Sequence, residues 1–282
     1  MDGAGRNPQV LLQVEDLHVA YGKAEVVHGA SFDVRAGEFV VLLGRNGAGK
    51  STMLHAISGL IPKRRGTVVF EGTDLSAATP RQIVQAGVVQ VLEGHRVFHT
   101  LTVEDNLLIG TYARHPRGDR SRLDAIYALF PELADRRQQA ASRLSGGQQQ
   151  ILAVAQGVIG EPRLLIMDEP SGGLAPIVID RILEVASRLC ADGLAILLVE
   201  QLVEKALRHA DYGYLIETGR IAASANAQAL REGDLIERTY LGHGAPGEVN
   251  PLSAFGAPPL EGGAPPAAGQ SPLRGSRGPS SN

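Results

Sequence analysis

The stretch GRNGAGKST, residues 44–52, constrains the fold of this chain more than any other. It follows the short apolar run EFVVLL and leads into TMLHAISGL, whose apolar residues recur at helical spacing. A strand that ends in a Gly-rich turn and runs straight into a helix is a cradle for phosphate. Gly44, Gly47 and Gly49 let the backbone curl so that successive N–H groups point inward. The start of the helix adds its partial positive charge. Lys50 then reaches the β- and γ-phosphates and the Ser51 hydroxyl is placed for Mg2+. A chain built this way is expected to bind a nucleoside triphosphate.

The rest of the composition narrows the setting. At 282 residues there is room for one large domain or two small ones with an ample core. A net charge of −3 with mixed signs provides no global field to recruit nucleic acid or an acidic membrane. The single cysteine, Cys190, makes no internal disulfide, which favours a reducing compartment. It reads as a small apolar residue near the end of a helix. No apolar run approaches the roughly 18 residues of a membrane span, and the polar MDGAGRNPQ start carries no signal-peptide pattern. Any membrane role is therefore expected to go through docking onto another protein.

In chain order, residues 1–9 read as disordered. LLQVEDLHVAYG (11–22) alternates as an antiparallel strand does, and 30–34 reads as a second strand ending at the turn Arg35-Ala36-Gly37. This small β region offers Tyr21 as an aromatic to stack on a nucleotide base; by itself Tyr21 would be an edge-strand aromatic. Strands are expected at 67–71 and 88–92, with Gln90 a strand side chain. Thr102 with Asp105 makes a variant capping box. The charged segment 111–142 suits a helical subdomain inserted in an α/β core. LSGGQQQ (144–150) opens an apolar helix, and RLLIMDEP (163–170) is a strand ending in two carboxylates. An amphipathic helix closed by Gly193 follows, then the strand LAILLVEQ and a hairpin turning at Thr218-Gly219. From 243 to 282 the composition changes: half of the chain's 16 prolines fall there, the apolar residues lose their pattern, and the segment reads as a disordered tail.

A phosphate loop, then LSGGQ, then an apolar strand ending DEP, in that order, resembles the nucleotide-binding subunit of an ATP-binding cassette (ABC) transporter over about residues 10–242. The resemblance implies a P-loop ATPase core with a mainly parallel sheet, an N-terminal antiparallel β subdomain and an inserted helical subdomain at about 88–158. It implies that ATP is held by Tyr21, Gly44, Asn46, Gly47, Gly49, Lys50, Ser51 and Thr52. In such cassettes Ser145, Gly146, Gly147 and Gln148 face the γ-phosphate of ATP held by a partner subunit, so that two chains sandwich two nucleotides. Asp168, with Ser51, would hold Mg2+, and Glu169 would orient or deprotonate the attacking water.

Three positions depart from the commonest pattern of that family. Glu93 stands where glutamine is usual; it is expected to ligate Mg2+ or hold the water, with added negative charge beside the phosphates. Gln201 replaces the usual histidine and donates a hydrogen bond but does not take a proton at neutral pH. Ala175 replaces the usual aspartate. Together, EGxRVF, SGGLAP, LLVEQ and ETGRI resemble one ATPase of the branched-chain (hydrophobic) amino-acid importer class. Leu92 and His95 differ from its usual PEGR, and Leu202 from its usual VEQN; urea or short-chain amide importers use similar subunits. The resemblance implies a heterodimer with a second ABC ATPase, two integral-membrane permeases, an indirectly linked solute-binding protein, and a place on the cytoplasmic face of the inner membrane. Val97, Phe98 and Leu101 are either permease contacts or subdomain core. An ABC ATPase acting on ribosomes or DNA would typically carry two cassettes or a long coiled coil, and neither a repeat nor heptads is present.

Overall fold

The computed structural model describes residues 6, 9–94, 96–113, 119–233 and 236. His95 and the Pro-rich tail lie outside the described residues. The chain runs β1 (Val10–Tyr21), β2 (Ala24–Arg35), β3 (Phe39–Gly44), α1 (Lys50–Ile57), β4 (Arg65–Phe70), β5 (Thr73–Asp74), α2 (Pro80–Ala86) and β6 (Val88–Val91). It continues with α3 (Val103–Ile109), α4 (Leu123–Leu129), α5 (Pro131–Ala134) and α6 (Gly146–Val158). The last part holds β7 (Leu164–Asp168), α7 (Pro176–Ala191), β8 (Ala195–Val199), α8 (Val203–His209), β9 (Tyr212–Glu217), β10 (Arg220–Asn226) and α9 (Ala227–Glu232).

The run EFVVLL reads as continuously apolar because β3 is covered on both faces. All of its residues are buried. Phe39, Val41 and Leu43 enter one core with α6 and α7, while Val40 and Leu42 enter a second with β1, β2 and α1. The six-stranded sheet has the order β10-β9-β3-β8-β7-β6, with all pairs parallel except the terminal hairpin. A separate antiparallel sheet, β2-β1-β4-β5, covers one face. The expected architecture is thus the observed one.

Details differ from the sequence expectations for identifiable reasons. The second strand begins at Ala24 rather than residue 30, because the whole of His18–Tyr21 pairs back onto it through a tight turn. Pro80 opens a helix that was not expected from the sequence; Thr79 accepts from Gln82 N–H while the Gln82 side chain accepts from Thr79 N–H. Thr102 does cap α3, but the Asp105 carboxylate takes the Thr102 hydroxyl instead of its N–H. β6 pairs with β7 in the core sheet, so the inserted helices start after Val91 rather than at residue 88. Arg6 and Gln9, within the stretch read as disordered, are held in place. Gln9 O accepts from Ala36 N–H at 3.0 Å, and Arg6 is clamped by Asp33 and Glu38, whereas residues 1–5 and 7–8 lie outside the described residues.

The hairpin of β9 and β10 turns at Thr218 (φ 47°) and Gly219 (φ 75°), as expected. Its tip braces the phosphate loop. Gly219 N–H donates to Ala48 O and Gly219 O accepts from His28 N–H, both at 2.9 Å. A Cβ on Gly219 would lie 2.0 Å from Val26 O, so the close approach depends on glycine.

Candidate nucleotide site

The loop between β3 and α1 takes the conformation its glycines permit: Gly47 and Gly49 have φ of 78° and 100°. Residues Val26, Asn46, Gly47, Gly49, Lys50, Ser51, Thr52 and Glu169 line one cleft. A neighbouring recess is lined by Gly44, Arg45, Asn46 and Gln201. Lys50 is buried, and its Nζ donates to Gly44 O at 2.9 Å and Arg45 O at 3.2 Å. Tyr21 ends β1 with its side chain exposed and its hydroxyl 3.5 Å from Thr52 Oγ1, beside the cleft.

Parallel pairing of β7 with β8 brings the chemical groups together. Asp168 lies opposite Val199, so the residues after both strands emerge side by side. Ser51 Oγ donates to Asp168 Oδ1 at 2.8 Å, and His55 Nε2 is 3.6 Å from Asp168 Oδ2. Burial raises the Asp168 carboxyl above its ordinary range; Ser51 and His55 pull the other way, and Glu169 and Glu93 add to the rise. Glu169 stands in the left-handed region at φ 44°, a strained conformation for a side-chain-bearing residue. Its N–H donates to Val199 O at 3.0 Å, which ties the turn to β8. Lys50 Nζ is 3.4 Å from Glu169 Oε1, and the Gln201 amide donates to Glu169 Oε2. Phosphate loop, both strand-end carboxylates and Gln201 therefore form one constellation. Glu93 is exposed at the end of β6 and reaches it through its charge on Asp168.

The LSGGQ segment is placed apart from that cleft. Ser145 caps α6, accepting from Gln148 N–H at 3.3 Å while the Gln148 side chain accepts from Ser145 N–H at 3.1 Å. Ser145 and Gly146 are exposed, and neither lines the cleft. Gly147 lies against α7: a Cβ there would be 2.9 Å from Val178 Cγ2. Ala175 precedes Pro176 at the start of α7 and leaves it without a side-chain cap. Of the three apolar residues after Glu93, Val97 is buried in the helical core and Phe98 is half exposed, with its N–H and C=O both held by the Asn106 side chain. Val97 is thereby core, not surface.

Sequence reasoning passed over Glu200, Ser171 and His55. The signal for Glu200 was a carboxylate ending the apolar run LAILLV; for His55 and Ser171 no local pattern existed.

A family model described as ABC transporter matches residues 27–172. The high-affinity branched-chain amino acid transport ATP-binding protein BraG of Pseudomonas aeruginosa is 38% identical over 232 residues, covering 82% of this chain and 100% of that protein. The probable branched-chain amino acid transport ATP-binding protein LivF of Archaeoglobus fulgidus is 34% identical, covering 82% and 99%. Among solved structures, an ATP-binding subunit of an ABC transporter superposes with a TM-score of 0.72 at 29% identity, covering 82% of this chain and 98% of that one.

Proposed function

The chain belongs to the ABC transporter family and is an ATPase, and from that premise we propose that it powers a membrane importer for branched-chain or other hydrophobic amino acids. The branched-chain amino acid transport for which the two relatives are named supports the solute class. The observation that carries hydrolysis is the convergence of Lys50 and Gln201 on Glu169, next to the Ser51–Asp168 pair.

The residues fit a Mg2+-nucleotide. The positive-φ glycines open the cradle, with no atom within 4 Å of a Cβ on Gly47, and two oxygen donors, Ser51 Oγ and Asp168 Oδ1, already meet at its mouth. Ser51, Asp168 and Glu93 would hold Mg2+, which when bound neutralises charge on the phosphates. Lys50 exchanges its carbonyl partners for phosphate oxygens, releasing Glu169 Oε1. Glu169 then accepts the proton, or the hydrogen bond, of the attacking water. Gln201 turns its amide donor to the γ-phosphate, and its neutral side chain carries no proton onward. Ser145 and the N–H groups of Gly146 and Gly147, aided by Gln148 as cap, complete the site of a partner chain. Closure of two chains would then be the condition for hydrolysis, and loss of ATP would reopen them.

The partner in this reading is a second ABC ATPase that keeps histidine at the Gln201 position. The two composite sites are then chemically unequal, and equal losses on mutating Glu169 and its counterpart would refute this. Two permeases anchor the pair at the cytoplasmic face of the inner membrane, with exposed Phe98 the contact candidate; among the described residues no helix is long and apolar enough to cross a membrane. Glu169→Gln should lower ATP hydrolysis by about 100-fold or more with ATP binding retained. Affinity purification of that variant in mild detergent with ATP and Mg2+ tests the assembly. Recovery of another ATPase and two multi-span proteins supports it, and the associated solute-binding protein can then be screened with amino acids against urea. Recovery of soluble partners, ribosomes or a bare homodimer refutes the transporter reading.

A further inference from the structure

Glu200 lies directly before Gln201 and is fully buried, at 0% exposure. Its Oε1 accepts three hydrogen bonds. Ser171 Oγ–H donates from the turn after β7, Gln201 N–H donates at 2.9 Å, and Leu202 N–H donates at 3.2 Å. Its Oε2 is buried with no hydrogen-bond partner among the described residues. The Ser171 side belongs to the turn that begins at Glu169, whose carbonyl accepts from Gly172 N–H at 3.3 Å. One oxygen atom thus joins the loop that carries Glu169 to the loop that carries Gln201. The side chains of those two residues meet above it, amide to carboxylate.

A buried acidic group is costly to place and is retained where its acceptor capacity is used. Here the hydrogen bonding among the described residues falls on Oε1 and is directed at two loops rather than at either core. Without it, the backbone N–H groups of Gln201 and Leu202 and the Ser171 hydroxyl lose a common acceptor, and the Gln201 loop is free to swing away from the Glu169 turn. We infer that Glu200 is a positioning residue for ATP hydrolysis: it fixes the Gln201 loop on the Glu169 turn so that the Gln201 side chain stays beside the Glu169 carboxylate, within reach of the γ-phosphate to which it turns its amide. This rests on the assignment of Glu169 and Gln201 to hydrolysis.

The test is a mutant cycle read as steady-state ATPase on this chain purified in complex with its partner subunits, with binding of a non-hydrolysable ATP analogue and thermal melting of every variant measured on the full chain. Glu200→Ala is expected to lower kcat by roughly tenfold to a hundredfold, the cost of a catalytic group moved by about an ångström, with KM and analogue affinity within about twofold. Glu200→Gln keeps the Oε1 acceptor and places its amide nitrogen where Oε2 has no partner, so it should recover kcat to within about threefold of wild type. In a Gln201→Ala background, Glu200→Ala should change kcat by less than about twofold, because the group it positions is gone. The inference is overturned if Glu200→Ala acts equally in both backgrounds, if Glu200→Gln is as damaging as Glu200→Ala, or if analogue binding falls in step with kcat. Should Glu200→Ala fail to fold, Ser171→Ala is run through the same cycle and decides by the same rule, with a smaller expected loss of about threefold from one hydrogen bond of three. A wild-type rate that Glu169→Gln leaves unchanged overturns the site assignment itself, and this inference with it.

Discussion

Replacing Arg6 by alanine removes one side chain from a polar stretch and strands two buried carboxylates. Asp33 and Glu38 are each 4% exposed. The Arg6 guanidinium donates to Glu38 at 2.5 and 2.8 Å and to Asp33 at 3.3 Å, and it stacks 3.9 Å from the Tyr212 ring centroid. After truncation Asp33 keeps Arg35 at 3.1 Å and the Tyr214 hydroxyl at 2.8 Å, whereas Glu38 keeps the Arg35 N–H at 3.0 Å. Removing one partner of a buried pair costs about 3–5 kcal/mol. The partners that remain place this case at the lower end, about 3 kcal/mol. For a domain of this size that is a fall in Tm of roughly 6–12 °C. Urea or thermal unfolding followed by circular dichroism at neutral pH measures it directly. Adding Glu38→Gln, which removes the stranded charge, should return at least about half of the loss. A cost of less than about 1 kcal/mol for Arg6→Ala, the value of an exposed ion pair, would refute the view that Arg6 completes the fold.

Ala175→Asp supplies the side-chain acceptor that the start of α7 lacks, and should stabilise the chain by about 1 kcal/mol in the same unfolding assay. The raised Asp168 carboxyl makes a pH prediction. A carboxyl raised above its unfolded value of 3.8 contributes stability below that value and loses it as pH rises through the folded value. Asp168→Asn should therefore be more stable than wild type near neutral pH in nucleotide- and Mg2+-free buffer, the difference shrinking as pH falls towards 3.8, while ATPase activity is lost. Gly219→Ala puts a Cβ against Val26 O and should push the hairpin tip off the phosphate loop, read as weaker ATP-analogue binding with a lowered Tm.

Local rules were legible wherever one stretch of backbone carries its own requirement. The Thr218-Gly219 turn, the helix opened by LSGGQ and the apolar strand β3 follow from a few neighbouring residues each, and each was expected where it stands. Helix α2 was not expected, because its capping box sits in a segment with little apolar periodicity. The extension of β2 back to Ala24 was missed because the adjacent Val26 and Val27 break the apolar–polar alternation there, and pairing with β1 decides its conformation.

The sequence by itself determined the cassette: a phosphate loop, a capped LSGGQ helix and a carboxylate-ended strand are contiguous motifs, written in consecutive residues because backbone geometry is a nearest-neighbour property. Only the tertiary structure decided which side chains meet. Ser51 and Asp168 are 117 residues apart in sequence, Gln201 and Glu169 are 32 apart, and Arg6 and Glu38 are also 32 apart. The parallel register of β7 and β8 sets Glu169 beside Glu200 and Gln201, and Arg6 closes over two carboxylates that no local pattern marks as buried. Such pairings depend on which strands neighbour one another in the sheet, a choice made by burying both faces of β3 at once and invisible to any short window of the chain.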